Sequence, residues 1–121
     1  MADRAEQHYN EGAHFSNLRQ YADAIASYDK ALALKPDYAE AWNNRGNALY
    51  RLGRYTEALV SYHKAIAINP NFAAAWNNRG AVIEKLGSYT EAIASYDRAI
   101  AIKPEYAEAK HNRERALKKR T

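Results

Sequence analysis

The sequence predicts an all-α fold, a right-handed α-solenoid built from antiparallel helical hairpins and containing seven helices. Two observations predict it. A segment of 34 residues recurs along the chain, and within each copy the apolar residues follow helical spacing without the alternation of period two that is typical of strands. Repeats of about 20 to 50 residues are typical of stacked supersecondary units, none of which buries its apolar face alone.

The chain of 121 residues divides into three copies of the unit and one partial copy. The copies span residues 5–38, 39–72 and 73–106, within a single domain over 1–121. The partial copy, 106–119, carries Lys110 and Glu114 where the second copy has Trp42 and Gly46. Polar end surfaces keep a solenoid soluble, so we interpret this last segment as a capping helix.

Apolar stripes and glycine or proline stops predict where each helix lies. The predicted helices span residues 4–18, 21–34, 38–51, 55–68, 72–85, 89–102 and 106–119. Pro70 stops the fourth helix, and Asn71 is placed to cap the fifth. Asp37 followed by Glu40 has the spacing of a capping box before the third.

Composition restricts the class of protein. The absence of cysteine excludes disulfides and thiol chemistry. No apolar run approaches the roughly 18 to 20 residues that a membrane-spanning helix needs. The first residues, Met1-Ala2-Asp3-Arg4, are too polar for a secretory signal, so we expect a soluble cytoplasmic protein without a membrane partner.

The net charge of +4 is concentrated at one end of the chain. Residues 110–120 hold six basic residues and one acidic residue, whereas the rest is close to neutral. Lysine and arginine at the end of a helix complement its macrodipole. Because no aromatic stacking platform accompanies this charge, we do not predict a nucleic-acid site there.

The repeated residues resemble a known family. The second copy supplies Trp42, Gly46, Leu49, Ala58, Tyr62, Ala65 and Pro70; the third supplies Trp76, Gly80, Ile83, Ala92, Tyr96, Ala99 and Pro104; the first supplies Gly12, Phe15, Ala24, Tyr28, Ala31 and Pro36. This pattern resembles the tetratricopeptide repeat over essentially the whole chain. The segment Asn-Asn-Arg-Gly, at 43–46 and 77–80, is similar to bacterial and cyanobacterial repeats. Arg45 and Arg79 depart from it where leucine is usual, and His8 where tryptophan is usual.

The positions of the glycines and arginines predict specific contacts between helices. We expect the glycines Gly46 and Gly80 to face Ala58 and Ala92 across each hairpin. Arginines at the seams between units cannot be buried without partners. Glu11 is a candidate partner for Arg45, whereas the sequence indicates none for Arg79 and Arg113.

A row of asparagines is the candidate binding site. Stacked hairpins would align four of them along the concave face: Asn10, Asn44, Asn78 and Asn112. The neighbouring amides Asn43, Asn47 and Asn77 would widen this polar strip. A primary amide both donates and accepts hydrogen bonds, so the row can pair with the backbone of an extended peptide. Tetratricopeptide superhelices that hold peptides by their main chain contain similar rows.

Other residues would extend the same face, and an alternative stays open. Tyr9 and Tyr50 would add contact area, beside the charged Arg51, Lys85, His111 and Arg115. The partner would be a protein or peptide, with no small-molecule substrate. Alternatively, duplication copied structural asparagines, and the chain is a structural or self-assembling scaffold, natural or consensus-engineered, with no dedicated ligand. We expect a monomer, with self-association as the alternative.

Two narrower functions are not predicted. Chaperone-binding members of the family grip a terminal carboxylate with lysine, arginine and asparagine, but the matching positions here are Tyr9, Ala13, Asn44, Ala74 and Asn78. Without lysine or arginine at these positions, nothing would neutralise a terminal carboxylate, so we do not predict binding of that type. The four histidines are dispersed, and phosphate-binding glycine loops and nucleophile motifs are absent, so we predict no enzyme, cofactor or metal site.

Overall fold

A computed structural model describes residues 2–121, which contain seven α-helices and no strand. The helices are α1 (Arg4–Asn17), α2 (Tyr21–Leu34), α3 (Ala39–Arg51), α4 (Tyr55–Ile68), α5 (Ala73–Lys85), α6 (Tyr89–Ile102) and α7 (Ala107–Arg120). The predicted all-α fold class and the number of helices are confirmed. The observed ends lie within one residue of the predicted ones.

Consecutive helices pack as antiparallel hairpins, α1 with α2, α3 with α4, and α5 with α6, and α7 packs against α6. Adjacent hairpins meet through α2 with α3 and α4 with α5. The first helices α1, α3, α5 and α7 also contact one another in order, whereas the second helices do not. The first helices are therefore closer together and form the inner, concave wall.

A tyrosine ring fills the inside of each hairpin, which explains why a glycine stands opposite. A Cβ atom on Gly46 would lie 2.6 Å from Cε1 of Tyr62, and one on Gly80 would lie 2.6 Å from Cε1 of Tyr96. Both tyrosines are fully buried. The atoms nearest to each glycine thus belong to the tyrosine ring, so the ring requires the missing side chain; the predicted facing of Gly46 and Gly80 with Ala58 and Ala92 stays a prediction.

The junctions between hairpins are not closed by the predicted caps. Tyr38, rather than Asp37, is the N-cap residue of α3, and it makes no side-chain capping bond. Phe72, rather than Asn71, has the same role before α5. The indole of the following tryptophan reaches back across the junction instead, and Trp42 Nε1 donates to the carbonyl oxygen of Pro36 at 2.9 Å. A local indole bond, rather than a side-chain cap, therefore links the start of each of these helices to the preceding turn.

The turn inside each hairpin requires a residue with positive φ. Gly53 has φ of 75° and Gly87 has φ of 87°. The equivalent position of the first hairpin holds Arg19 at φ of 61°. After it, the N–H of Gln20 donates to the carbonyl of Phe15 at 2.9 Å, as in a Schellman ending. A side chain therefore stands here in a conformation that favours glycine.

The seam arginines find partners that the sequence did not indicate. Arg45 Nε donates to Asp29 on α2 at 2.7 Å, and its NH1 donates to Ser61 on α4 at 2.7 Å. The predicted pairing of Arg45 with Glu11 is wrong. Glu11 contacts His8 of its own helix at 2.9 Å instead.

The other two seams repeat this geometry. Arg79 Nε donates to His63 Nε2 at 2.9 Å, and its NH2 lies 3.3 Å from Glu91. Arg113 donates to Asp97. Each arginine thus ties its helix to the second helix of the preceding hairpin. Each also has a carboxylate partner, which for Arg79 is Glu91 of its own hairpin, so none of the three charges is left alone.

Candidate functional site

The concave wall holds an open polar groove with three adjoining cavities. The central cavity has a volume of about 480 Å³ and is lined by Asn47, Tyr50, Arg51, Tyr62, Asn78, Ala81, Glu108, Asn112 and Arg115. The next, towards the end of the chain, has about 340 Å³ and is lined by Tyr50, Ala81, Glu84, Lys85, Arg115 and Lys119. The third, of about 200 Å³, is lined by Ala13, Ser16, Asn17, Tyr28, Asn44 and Asn47. The groove thus gathers side chains from α1, α3, α5 and α7.

The asparagine row ties neighbouring first helices together. Asn78 Nδ2 donates to Asn43 Oδ1 at 3.1 Å, and Asn112 Nδ2 donates to Asn77 Oδ1 at 3.1 Å. Asn44 Nδ2 makes the equivalent bond to the Tyr9 hydroxyl at 2.8 Å. Part of the hydrogen-bonding capacity of the row is therefore used in stacking the hairpins.

Asn10 does not share the groove with the other three members of the row. It is exposed and lines a separate depression on α1 with Gln7, Glu11 and His14. In the other hairpins this position meets the preceding first helix, and α1 has no preceding helix within residues 2–121. Placing Asn10 in the groove was wrong for that reason.

Asn43 and Asn77 are buried, with 6% and 1% of their surface exposed. The next asparagine along the row covers each of them, because it donates to their side-chain oxygens. The prediction that they widen the accessible polar strip is therefore wrong. Asn112 lines the central cavity but is also largely buried, and its Oδ1 accepts from Arg115 NH1 at 3.1 Å.

Two amides that line the central cavity keep free hydrogen-bonding groups. Asn47 Oδ1 accepts from the Tyr62 hydroxyl at 2.6 Å, which fixes the amide and leaves Nδ2 without a partner among residues 2–121. Asn78 donates through Nδ2, and its Oδ1 has no donor in the same range. The central cavity therefore offers one free N–H₂ and one free carbonyl oxygen, both oriented by the protein.

The two tyrosines singled out in the sequence have different environments. Tyr9 stacks on Tyr38 with ring centroids 5.0 Å apart, and burial raises the pKa of its hydroxyl. Tyr9 thus serves the packing of the first hairpin against the second. Tyr50 is partly exposed, contacts Tyr55, and lines both the central cavity and the next one. Of Tyr9 and Tyr50, only Tyr50 lines these two cavities.

Glu84 is a groove residue that the sequence analysis missed. Its side chain is 6% exposed, accepts two bonds from Arg115 at 2.9 Å and one from the Tyr96 hydroxyl at 2.8 Å, and lies 3.4 Å from Lys119. Burial acts to raise the pKa of Glu84, but these hydrogen bonds outweigh it and lower the pKa to about 2. The only sequence signal was a carboxylate where the second copy has Tyr50.

The predicted cations Arg51 and Lys85 lie at the ends of α3 and α5 and line the groove. No carboxylate pairs with either side chain within residues 2–121.

None of the seven helices is long and apolar enough to cross a lipid bilayer. Stacked hairpins around an open polar groove define a helical-repeat interaction module.

Comparison with known families specifies this class. Models described as TPR repeat match residues 18–53 and 46–87, and one described as tetratricopeptide repeat matches residues 73–106. The chain belongs to the tetratricopeptide repeat family, whose fold is a protein-interaction fold. A search of curated protein sequences gave no significant match.

Solved structures agree with this assignment. The TPR domain of Arabidopsis OM64 is 27% identical with a TM-score of 0.93, and the match covers 95% of each chain. The first TPR of Spaghetti (RPAP3), bound to the HSP90 peptide SRMEEVD, is 25% identical with a TM-score of 0.93, covering 95% of this chain and 91% of that one. The first TPR domain of human RPAP3 is 25% identical with a TM-score of 0.93, covering 96% and 91%.

Proposed function

We propose that this chain is a protein-interaction module that holds an extended peptide, or an extended segment of a partner protein, in its concave groove. The observation that carries the proposal is the pair of unsatisfied amide groups, Asn47 Nδ2 and Asn78 Oδ1, on the groove surface. An extended peptide presents N–H and C=O groups along its backbone, and these match one donor and one acceptor. A solved relative that holds a peptide supports the same use of the fold.

The groove is preorganised for such a ligand. The Tyr62 hydroxyl fixes Asn47, and Asn43 fixes Asn78, so neither amide has to be ordered when a peptide binds. Tyr50 supplies a partly exposed ring against which an apolar side chain can pack. Backbone recognition together with one aromatic contact favours a partner defined more by its extended shape than by its sequence.

The peptide would be held along its length rather than by its end. The Spaghetti structure contains an HSP90 peptide. In this chain, however, the carboxylate-gripping positions of chaperone-binding members have no lysine or arginine, and Asn44 is bonded to Tyr9. A terminal carboxylate would find no cation there, so the proposed ligand is an internal segment.

One observation favours a second candidate function, a scaffold without a dedicated ligand. All three amide bonds between first helices, which start from Asn44, Asn78 and Asn112, stabilise the stack whether or not a peptide is present. Duplicated structural asparagines would produce the same row. The two functions differ only in what the free amide groups do.

The substitution Asn47→Asp separates them. Aspartate keeps an oxygen for the Tyr62 hydroxyl but replaces the free N–H₂ donor by an acceptor. The matched control is Asn71→Asp on an exposed turn, which makes the same change in net charge away from the groove. Peptides would be selected from a random display library, resynthesised with blocked ends, and measured by titration calorimetry.

We expect Asn47→Asp to weaken binding about three- to tenfold, the effect of losing one hydrogen bond, and Asn71→Asp to leave it unchanged. Blocking the peptide carboxylate should not matter. Failure to select any peptide would favour the scaffold. Equal binding by Asn47→Asp and the wild type would show that a bound peptide does not use this donor.

A further inference from the structure

Four basic side chains converge on one half of the groove, and we call this region the basic pocket. Arg51 ends α3, Lys85 ends α5, and Arg115 and Lys119 lie on α7. They surround Tyr50 and Glu84 in the two cavities described above. Arg51, Lys85 and Lys119 occupy the same position in successive copies, 34 residues apart, so stacking places them in a row.

The charges of the basic pocket do not cancel. Glu84 is the one carboxylate that lines the cavity of about 340 Å³, and its low pKa keeps it ionised at neutral pH. It pairs with Arg115 and lies 3.4 Å from Lys119. Arg51 and Lys85 are exposed and have no carboxylate partner within residues 2–121. Over the two cavities, four cations stand against two carboxylates, Glu84 and Glu108, which leaves an excess of positive charge.

Glu108 is the other carboxylate that lines these cavities, and it does so from the start of α7. It is in the first turn of α7, about two helical turns before Arg115. The groove therefore has an acidic group at Glu108 and basic groups at the ends of the first helices. A peptide along the groove would meet these two kinds of group with different side chains.

Buried Glu84 also orients the strongest anion-binding group. It accepts from Arg115 Nε and NH2, while Asn112 accepts from NH1. Three of the five guanidinium N–H groups are thereby used, and the other two have no partner within residues 2–121. The Arg115 side chain is 40% exposed, so these donors are fixed in position and accessible.

We propose that the basic pocket selects acidic peptides, binding aspartate or glutamate side chains of the extended segment that the groove holds; the inference rests on the function proposed above. Charge complementarity identifies the ligand. Neighbouring helices lie about 8 to 10 Å apart, and alternate residues of an extended chain lie about 7 Å apart on one side. Carboxylates two residues apart therefore lie on one side of the peptide at a spacing close to that of successive cations of the row.

A simpler explanation is that each cation only complements the dipole of the helix that it ends. That accounts for Arg51 and Lys85 taken singly. It does not account for the burial of Glu84, which holds Arg115 over the same cavity with two donors free. The two explanations differ in whether ligand charge affects binding.

The test uses two fluorescein-labelled, C-terminally amidated peptides of ten residues, one alternating glutamate with alanine and one alternating glutamine with alanine. Binding to the full chain is measured by fluorescence anisotropy at low and moderate salt. The test variant is Arg51→Gln with Lys85→Gln, since neither side chain makes a bond whose loss would unfold the protein. Lys30→Gln with Lys64→Gln, exposed on second helices, is the control with equal charge.

We expect the glutamate peptide to bind at least about fivefold tighter than the glutamine peptide, and salt to weaken only the former. The double variant Arg51→Gln, Lys85→Gln should reduce this difference, because only Arg115 and Lys119 then remain, and the control should keep it. Equal binding of both peptides by the wild type would overturn the inference.

An equal loss in the control variant would also overturn it, because general charge would then explain the preference. The same holds if a ten-nucleotide oligothymidylate binds as tightly as the glutamate peptide and depends on the same two residues. A library-selected peptide that still binds under either outcome leaves the proposed function intact. If no peptide binds, both proposals fail.

Discussion

Arg79 donates from Nε to His63 Nε2 at 2.9 Å, across the seam between the second and third hairpins. The two flanking seams have aspartates at the matching positions, Asp29 for Arg45 and Asp97 for Arg113. The middle seam therefore depends on a neutral imidazole as acceptor. Partial burial and the nearby Arg79 charge lower the pKa of His63, although Glu91 acts in the other direction.

This seam should weaken in mild acid. Because the folded pKa lies below the unfolded value of about 6.5, the folded state binds fewer protons, and the contribution of His63 is complete above that value and lost as pH falls below it. His63 is exposed, so screening limits the effect to about 0.5 kcal/mol. Urea unfolding at pH 7.5 and pH 5.5 measures it.

The substitution His63→Asp should remove this dependence, because aspartate stays ionised over that range and pairs with Arg79 as Asp29 pairs with Arg45. We expect it to raise the free energy of unfolding by up to about 1 kcal/mol at pH 5.5. His111→Asp, on the exposed side of α7, is the control. An equal change in stability between the two pH values for His63→Asp and the wild type would contradict the prediction.

Glu84→Gln should destabilise the end of the array. Glutamine keeps the shape of the side chain but removes the charge that Arg115 and Tyr96 both contact. We expect the free energy of unfolding to fall by about 1 to 3 kcal/mol at pH 7, because a buried charge-assisted network is weakened. The loss is limited because the Arg115 side chain stays partly exposed to water. Exposed Glu114→Gln on α7 should change stability little.

The pH dependence tests the same network. The pKa of Glu84, about 2 in the folded protein, is depressed, so its contribution is complete above the ordinary value near 4.5 and lost as pH falls towards 2. The stability difference between the wild type and Glu84→Gln should therefore be smaller at pH 3 than at pH 7. Denaturant unfolding at both pH values measures it, and a difference independent of pH would show that the charge is not responsible.

The repeat period was sufficient to predict the hairpins, because helix ends and small residues recur at every copy. It was not sufficient for contacts across seams. Arg45 reaches Asp29, sixteen residues earlier on the second helix of the preceding hairpin, and this depends on how the helices cross. Glu11 was the expected partner of Arg45 because it stands at the same position one copy earlier. In the structure it contacts His8 of its own helix instead.

The candidate site was predictable to a similar extent. The period places Asn44 and Asn78 in one row, but it does not show that their donors are used against Tyr9 and Asn43. It also assigns Asn10 to that row, although no helix precedes α1 within residues 2–121. Glu84 was missed because a departure from a repeat carries no periodic signal.

Arg19→Gly should stabilise the first hairpin. Arg19 stands at φ of 61° where Gly53 and Gly87 adopt 75° and 87°. A left-handed conformation costs a residue with a Cβ about 1 to 2 kcal/mol, and the greater freedom of glycine in the unfolded chain offsets part of the gain. We expect a net gain of about 0.5 to 1 kcal/mol in thermal or urea unfolding. Arg19→Ala is the control, because it shortens the side chain but keeps the strain, and an equal gain there would contradict this explanation.

Gly46→Ala should open the second hairpin, because its new Cβ would lie 2.6 Å from the Tyr62 ring. The ring cannot turn aside freely, since its hydroxyl is bonded to Asn47 at 2.6 Å. Overpacking costs about 1 to 3 kcal/mol, and the better helix propensity of alanine offsets about 1 kcal/mol of it. We therefore expect a net loss of about 1 to 2 kcal/mol.

A double-mutant cycle with Tyr62→Leu identifies the cause of that loss. If the ring is responsible, Gly46→Ala should cost much less in the leucine background, because the smaller side chain leaves room for the new methyl group. Peptide binding adds a second readout, since a displaced Tyr62 releases Asn47 and should weaken the selected peptide in Gly46→Ala. Strictly additive stabilities, or a Gly46→Ala protein as stable as the wild type, would show that the glycine is not required by the tyrosine.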